Sequence, residues 1–421
     1  MVSEIFGNAR GSAPSWHPNR FRGSGHVLLR PQPTARISST PSNNGTFHQC
    51  EKCQGCVSVS DSTTEDSKAT DPCSPCTGCT HQLYQITGST KFMGHAFKWE
   101  KGASSAHILR AKMPDAETGL DPFVKFMCVP STPKHGSTAC NLDRTINSAR
   151  NLMALQKLSK ECGLDHLSGR AFVEHVRAIM PDQEKSPSSP AIAGGGKVDQ
   201  LGIFTSAAPG VSMSNLAFSG KTLTARTALK NVNSSLIREA AIYDLLFCCA
   251  DRHAQNIFID EEHNIKLIDN DQMLGGSQKG RAAAGSCTPS SLFLPMNMES
   301  WRVNKATSGV HHLDYRCHLA EGESDITLPD SVRTCVSKLS EMSVEGIIKN
   351  YDISKPKAAE MLKMRAKHLV EHSFMGALTE AMAEEKARFD ADVNSPAIGE
   401  KLKHWHYNLW RPLEKPNCLQ L

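Results

Sequence analysis

Residues Leu236 to Asp271 constrain the fold more than any other stretch. An apolar run, LIREAAIYDLLFCCA, passes straight into DRHAQN, and two short segments, Phe258-Ile259 and Ile265 to Ile268, follow on either side of Glu261 to Asn264. Ser234-Ser235 stands where a helix cap belongs, so the run reads as a helix buried on most sides. The two segments read as the strands of a hairpin. Asp251, Asn256 and Asp269 then fall at the ends of hydrophobic elements, where a rigid scaffold holds polar groups in reach of solvent. A turn whose Asp and Asn merely cap backbone groups does not explain an acid, an amide and a second acid in this order.

Around this segment the texture changes along the chain. The first 48 residues are rich in Ser, Arg, Pro, Gly and Asn with one acid, Glu4, and read as a disordered leader; an organelle transit peptide has the same composition. From about Gln82, strands are expected at Ala96 to Glu100, His107 to Ala111, Phe123 to Val129, Phe172 to Ile179 and Gln200 to Thr205. A helix from Thr145 to Cys162, with Ile146, Ala149, Leu152, Leu155 and Leu158 on its apolar stripe, is expected to stop at Gly163. The stretch between Asp182 and Lys197 reads as a loop, as does Gly275 to Ser291, and helices are expected at Asp330 to Met342, Ser343 to Tyr351 and Lys355 to Ala391. A sheet-rich half followed by a helical half is the outline of a bilobed α+β enzyme. The expected organisation is a leader at 1–48, a Cys-rich segment at 49–81, a sheet-rich lobe at 82–211, a helical lobe at 212–395 and a tail at 396–421.

Composition removes some functions. With 47 basic against 43 acidic residues, the charge balance argues for no nucleic-acid partner. No apolar run approaches the roughly 18–20 residues that a membrane-spanning helix needs, and the most apolar one, Ala240 to Ala250, contains Tyr243 and Asp244. With no secretory signal visible after Met1, the expected location is cytoplasmic, with organellar or exported locations kept open. Six of the 15 cysteines crowd into two triplets, Cys50, Cys53, Cys56 and Cys73, Cys76, Cys79, with His48 and His81 just outside them. Cys-x-x-Cys spacing suits tetrahedral ligation of Zn²⁺; disulfides, or a Cys-rich linker without a fixed ligand, are the other readings.

The segment DRHAQNIFIDEEHNIKLIDND has the parts phosphoryl transfer needs: a carboxylate to accept the proton of the attacking hydroxyl, and an amide and a second carboxylate for Mg²⁺. Its Asp-Arg-His order, with Asn256 five positions after Asp251 and an Ile-Asp following, resembles the atypical kinases of the phosphatidylinositol 3- and 4-kinase type, including actin-fragmin kinase-like protein kinases. The resemblance implies a bilobed protein-kinase-like fold, binding of ATP and Mg²⁺ or Mn²⁺, Asp251 as catalytic base, His253 as a contact to the transferring phosphate, and Asn256 and Asp269 as metal ligands. The chain departs from the family where it reads Asp269-Asn270-Asp271, without the usual Gly two positions after the metal-binding Asp.

In PFVKFMC, Lys125 sits inside an apolar strand and resembles the family's phosphate-binding lysine; an edge-strand lysine whose stem reaches water is the alternative. Gly102, Ser104 and Ser105 lie between two strands, where backbone and hydroxyl donors can approach phosphates. The acid that would pair with Lys125 is not assigned by the sequence: Glu161 and Asp143 are the candidates. Lys279 and Arg281 are the only cations of the expected activation loop, a thin supply for an inositol phosphate, which favours a protein substrate over a phosphoinositide. The expected function is that of an ATP- and Mg²⁺-dependent kinase acting on a protein hydroxyl. A small phosphatidylinositol kinase and a pseudokinase binding module are the alternatives.

Overall fold

The computed structural model describes residues 56–58, 79–98, 107–113, 119–126, 142–181, 197–249, 252–270, 273–274, 291–295, 313–393 and 418. For some of these, among them Cys56, Cys79 and His107, only the backbone is described. The leader at 1–48 lies outside the described residues, and so do the loops at 182–196 and 275–290.

The chain is a mixed α+β structure. Nine-residue strands β8 (Ala171–Ile179) and β9 (Lys197–Thr205) pair antiparallel along their whole length and anchor a seven-stranded sheet. Its other strands are β1 (Cys56–Ser58), β2 (Cys79–His81), β3 (Leu83–Tyr84), β6 (His107–Ala111) and β7 (Phe123–Phe126), and the order is β1-β2-β8-β9-β7-β6-β3. Only the β2–β8 pairing is parallel. Residues 56–58 and 79–81 of the Cys-rich segment therefore join the sheet, a placement that composition did not suggest. A separate hairpin joins β4 (Ser89–Phe92) to β5 (His95–Lys98). Its two turn residues, Met93 and Gly94, have φ of 47° and 75°, the left-handed pair that a two-residue hairpin turn needs.

Helix α1 (Leu142–Glu161) buries Ala149, Leu152, Leu155 and Leu158 of the stripe expected of it and leaves Ile146 half-buried. It ends where Gly163 adopts φ 71° and Leu164 N–H donates to the Ser159 carbonyl at 2.7 Å. A Cβ at Gly163 would stand 2.7 Å from Ser331 Oγ, so both backbone and space select glycine.

Strand β10 (Val211–Ser212) leads into α2 (Met213–Phe218) and α3 (Thr222–Asn231), two helices that periodicity did not reveal because both are short. Helix α4 (Ser234–Leu246) is buried without interruption from Ala240 to Leu246, and its cap is Asn233, whose side chain accepts from Ser235 N–H at 3.1 Å. Strands β11 (Ile257–Ile259) and β12 (Ile265–Leu267) form the expected hairpin and join β10 in a three-stranded sheet. Asp260 holds its turn by accepting Asn264 N–H at 2.8 Å.

Four helices complete the described chain: α5 (Asp330–Glu341), α6 (Val344–Tyr351), α7 (Pro356–Glu371) and α8 (Phe374–Val393). The last two were expected as one helix. Ser373 divides them, its Oγ accepting Gly376 N–H at 3.2 Å as a new cap. The main core gathers α1, α4, the β10–β12 sheet and α5 to α8, while a second cluster, including Val124, Phe126, Val176 and Phe204, lies within the seven-stranded sheet. No helix among the described residues is long and apolar enough to cross a membrane.

Disulfides join Cys162 to Cys335 and Cys317 to Cys418, and Cys248 is also disulfide-bonded. The first ties the end of α1 to α5 in the core.

Candidate active site

Strand β7 lies between β6 and β9, so Lys125 is on an interior strand and not on an edge. Its side chain, 15% exposed, donates from Nζ to Asp269 Oδ1 at 2.9 Å. An ammonium among apolar strands needs such a partner. Asp269 follows the end of β12 and has φ 56°, a left-handed conformation that Asp tolerates better than most residues. One contact therefore joins the seven-stranded sheet to the far end of the hairpin, 144 positions along the chain.

The acid that pairs with Lys125 is thus Asp269. Glu161 is engaged elsewhere: it accepts from Lys338 Nζ and, at 2.6 Å, from Tyr351 Oη. Burial tends to raise the Glu161 pKa, but these two bonds outweigh it and hold the carboxyl below its ordinary range. The Asp143 side chain is not among the described ones.

Asn256 and His253 sit on the loop between α4 and β11. Asn256 is 5% exposed, its backbone carbonyl accepts Ile268 N–H at 3.0 Å, and its amide nitrogen lies 3.3 Å from His253 Nε2. His253 Nδ1 accepts Gln255 N–H at 3.2 Å. The loop is therefore stitched to β12 just before Asp269, which sets the amide and the carboxylate on neighbouring backbones. Asp251 and Asp271 lie outside the described residues, and so do Gly102, Ser104, Ser105, Lys279 and Arg281.

Beneath these residues is a buried ion pair that motif reading missed. Arg252 and Asp244 are both 0% exposed at their side chains. Arg252 donates to both Asp244 oxygens, from Nε at 3.1 Å to Oδ2 and from Nη2 at 3.1 Å to Oδ1. It also donates to the Ile268 carbonyl at 2.9 Å and to Asn270 Oδ1 at 2.7 Å. Ser291 Oγ donates to Asp244 Oδ2 at 2.7 Å. Burial works against the guanidinium charge, and the Asp244 carboxylate more than offsets it, holding Arg252 above its ordinary range. One guanidinium thus fixes the backbone next to Asn256, the carbonyl before Asp269 and the side chain after it. Asn270, between Asp269 and the position where the family has Gly, serves this network. The signal was present in the sequence, since an acid inside an otherwise apolar helix calls for a buried cation.

Among the described residues, no group of three or more His, Cys, Asp or Glu side chains stands close enough to hold a metal ion. Asn256 and Asp269 supply an amide and a carboxylate, oxygen donors of the kind Mg²⁺ takes. Of the cysteines considered for zinc, Cys56 and Cys79 are placed by the backbone of β1 and β2, while Cys50, Cys53, Cys73 and Cys76 lie outside the described residues. No protein-family model matches this chain, and no curated protein matches it.

Proposed function

We propose that this chain is an ATP- and Mg²⁺-dependent phosphotransferase of the bilobed kinase-like type, acting on a protein hydroxyl. The observation that carries the reading is the 2.9 Å contact of Lys125 with Asp269, which brings a strand cation to the acid at the end of the hairpin. A nucleotide polyphosphate is the ligand that a lysine and a metal-binding carboxylate in contact would share. Mg²⁺ held by Asp269 and Asn256 would supply charge neutralisation on the phosphates. Lys125 would bind the phosphate oxygens, His253 would contact the transferring group, and Asp251 would accept the proton of the acceptor hydroxyl. The Arg252 network would keep Asn256 and Asp269 in register without touching substrate.

One observation favours a second reading, a nucleotide-binding module without turnover. Glu161, the only Glu of α1, is committed to Lys338 and Tyr351 and does not support Lys125. The disulfides bear on location. Persistent cross-links belong to oxidising compartments, so they favour an exported or luminal site of action over the cytoplasmic one expected from the sequence.

The test is transfer of labelled phosphate from ATP, with Mg²⁺ and with Mn²⁺, by the wild type and Asp269→Ala, offered a mixed protein pool and phosphoinositide vesicles in parallel. Label on protein that vanishes in the variant supports the proposal, and label on lipid instead replaces the acceptor. Binding of ATP with metal but without any labelled acceptor favours the binding module.

A further inference from the structure

The β4–β5 hairpin stands apart from the seven-stranded sheet and is held by residues of the helical half. Asn215 of α2 donates from Nδ2 to the Lys98 carbonyl at 2.5 Å, and Lys221, between α2 and α3, donates from Nζ to the Ala96 carbonyl at 3.4 Å. The Lys221 ammonium also lies 4.7 Å from the centre of the Phe97 ring. Register puts Thr90 opposite Phe97 and Lys91 opposite Ala96. Strand alternation therefore sends Phe92 and Phe97 into the main core and leaves Ser89, Lys91, Ala96 and Lys98 exposed on the other face. Lys91 and Lys98 are diagonal neighbours on that face, about 7–8 Å apart.

The sequence loads this region with one sign of charge. Neither Ser89 to Lys98 nor Gln200 to Ile237 contains an acid, and their cations are Lys91, Lys98, Lys221, Arg226 and Lys230. Among the described residues none of these makes an ion pair, whereas Arg150, Arg238 and Lys338 each pair with an acid elsewhere on the surface. Lys221 touches β5, and Arg226 and Lys230 follow at about 7.5 and 13.5 Å along the axis of α3, at about 1.5 Å per residue. Arg226 and Lys230 are exposed and share a helix face with Leu223, which is 79% exposed. Glu261 of the neighbouring turn is engaged at the hairpin tip, where it accepts Met93 N–H at 3.1 Å.

We propose that this basic face docks an acidic segment of a partner protein, with Leu223 taking an apolar side chain from it. Uncompensated like charges repel one another, and an anionic partner relieves that repulsion. The surface offers little to other polyanions. Phe92 and Phe97 are buried, so neither can stack on a nucleotide base. Among the described residues of α2 and α3, Leu223 is the one large apolar side chain exposed, too little for a helix that lies in a lipid surface. Helix α2 packs against the turn Ala254–Asn256, so the face flanks the candidate active site. That the docked protein is the phosphate acceptor rests on the phosphotransferase reading; the docking itself does not.

The test measures binding of a fluorescent Glu- and Asp-rich peptide with one leucine to the purified full chain, by anisotropy. Binding should weaken as salt rises from about 50 to about 200 mM. Lys91→Glu, Arg226→Glu and Lys230→Glu combined should weaken it at least about tenfold, and the charge-conserving Lys91→Arg, Arg226→Lys and Lys230→Arg should retain it. Should the combined reversal not fold, Lys91→Glu and Lys230→Glu made singly are each expected to weaken binding at least about twofold. Reversing Lys112, Lys160 and Lys349, exposed cations elsewhere, changes net charge equally and should leave binding within about threefold. Equal losses in the two reversed sets, no binding by the wild type, or tighter binding of phosphatidylserine vesicles or a DNA duplex than of the peptide would overturn the proposal. The two readings fail separately. A wild type that binds the peptide through this face but transfers no phosphate loses only the phosphotransferase reading. One that transfers phosphate while the peptide neither binds nor competes loses only the docking face.

Discussion

The Arg252–Asp244 pair allows a quantitative prediction. In Asp244→Ala, a guanidinium with 0% exposure loses both carboxylate oxygens, and Ser291 Oγ loses its acceptor. Breaking a buried pair from one side costs about 3–5 kcal/mol. Asp244→Ala is thus predicted to lower stability by about 3–5 kcal/mol, a large part of the roughly 5–15 kcal/mol typical of a folded protein. The double variant Asp244→Leu with Arg252→Met removes both charges and fills similar volume, so it should recover to within about 2 kcal/mol of the wild type. Urea unfolding of the disulfide-intact chain, followed by tryptophan fluorescence, gives the midpoints, and the double-mutant cycle gives the coupling. The double variant should still be inactive, because nothing would then tie the Ile268 carbonyl and Asn270 together. A loss below about 1 kcal/mol in Asp244→Ala, or a double variant as unstable as the two singles summed, would refute the reasoning.

Further predictions concern the contact between Lys125 and Asp269, one imidazole, the buried disulfide and one glycine. Lys125→Met is predicted to cut phosphate transfer by at least about 100-fold, as expected of a charge aimed at the phosphates, while circular dichroism stays unchanged. The Glu239 carboxylate 2.6 Å from His166 Nε2 outweighs burial and raises the His166 pKa above the ordinary value. The stability from this pair is fully present below about pH 6.5 and is lost as pH rises through the raised folded-state value. NMR titration of His166 in the wild type and in Glu239→Gln checks this, and equal midpoints would count against it. Paired Cys162→Ser and Cys335→Ser open a link spanning 173 positions, and a loss of about 2–5 kcal/mol is expected by denaturant unfolding. Gly163→Ala forces φ 71° on a residue with a Cβ and crowds Ser331, so a loss of at least about 1 kcal/mol should appear in the same assay.

Much of the fold could be read locally. The α1 stripe, its stop at Gly163, the β11–β12 hairpin and the helices from Asp330 onward follow from periodicity, caps and turn residues, which act over a few positions. Strands β1, β2 and β3, only two or three residues long, carry too few side chains to show a period, and α2, with six residues, spans less than two helical turns. Their placement comes from pairing and packing with distant elements. The break between α7 and α8 was missed because apolar residues continue at helical spacing across it, while Ser373 caps a new helix.

The amino-acid order alone determined which residues stand at the ends of hydrophobic elements: Asn256 at the foot of one strand, Asp269 past the end of the next, and Lys125 inside a third. These placements are local, set by hydrophobic alternation and by the turn at Asp260 to Asn264. Only the tertiary structure decided their partners. Lys125 meets Asp269 rather than an acid of α1, because the interior strand β7 aims its ammonium at the end of β12, while α6 and α5 draw Glu161 to Tyr351 and Lys338. Asp244 is useful inside a dry helix because Arg252, eight positions on, folds back under the loop to neutralise it. Charge in a low-dielectric interior must find its opposite in space, and sequence distance does not record which opposite that is.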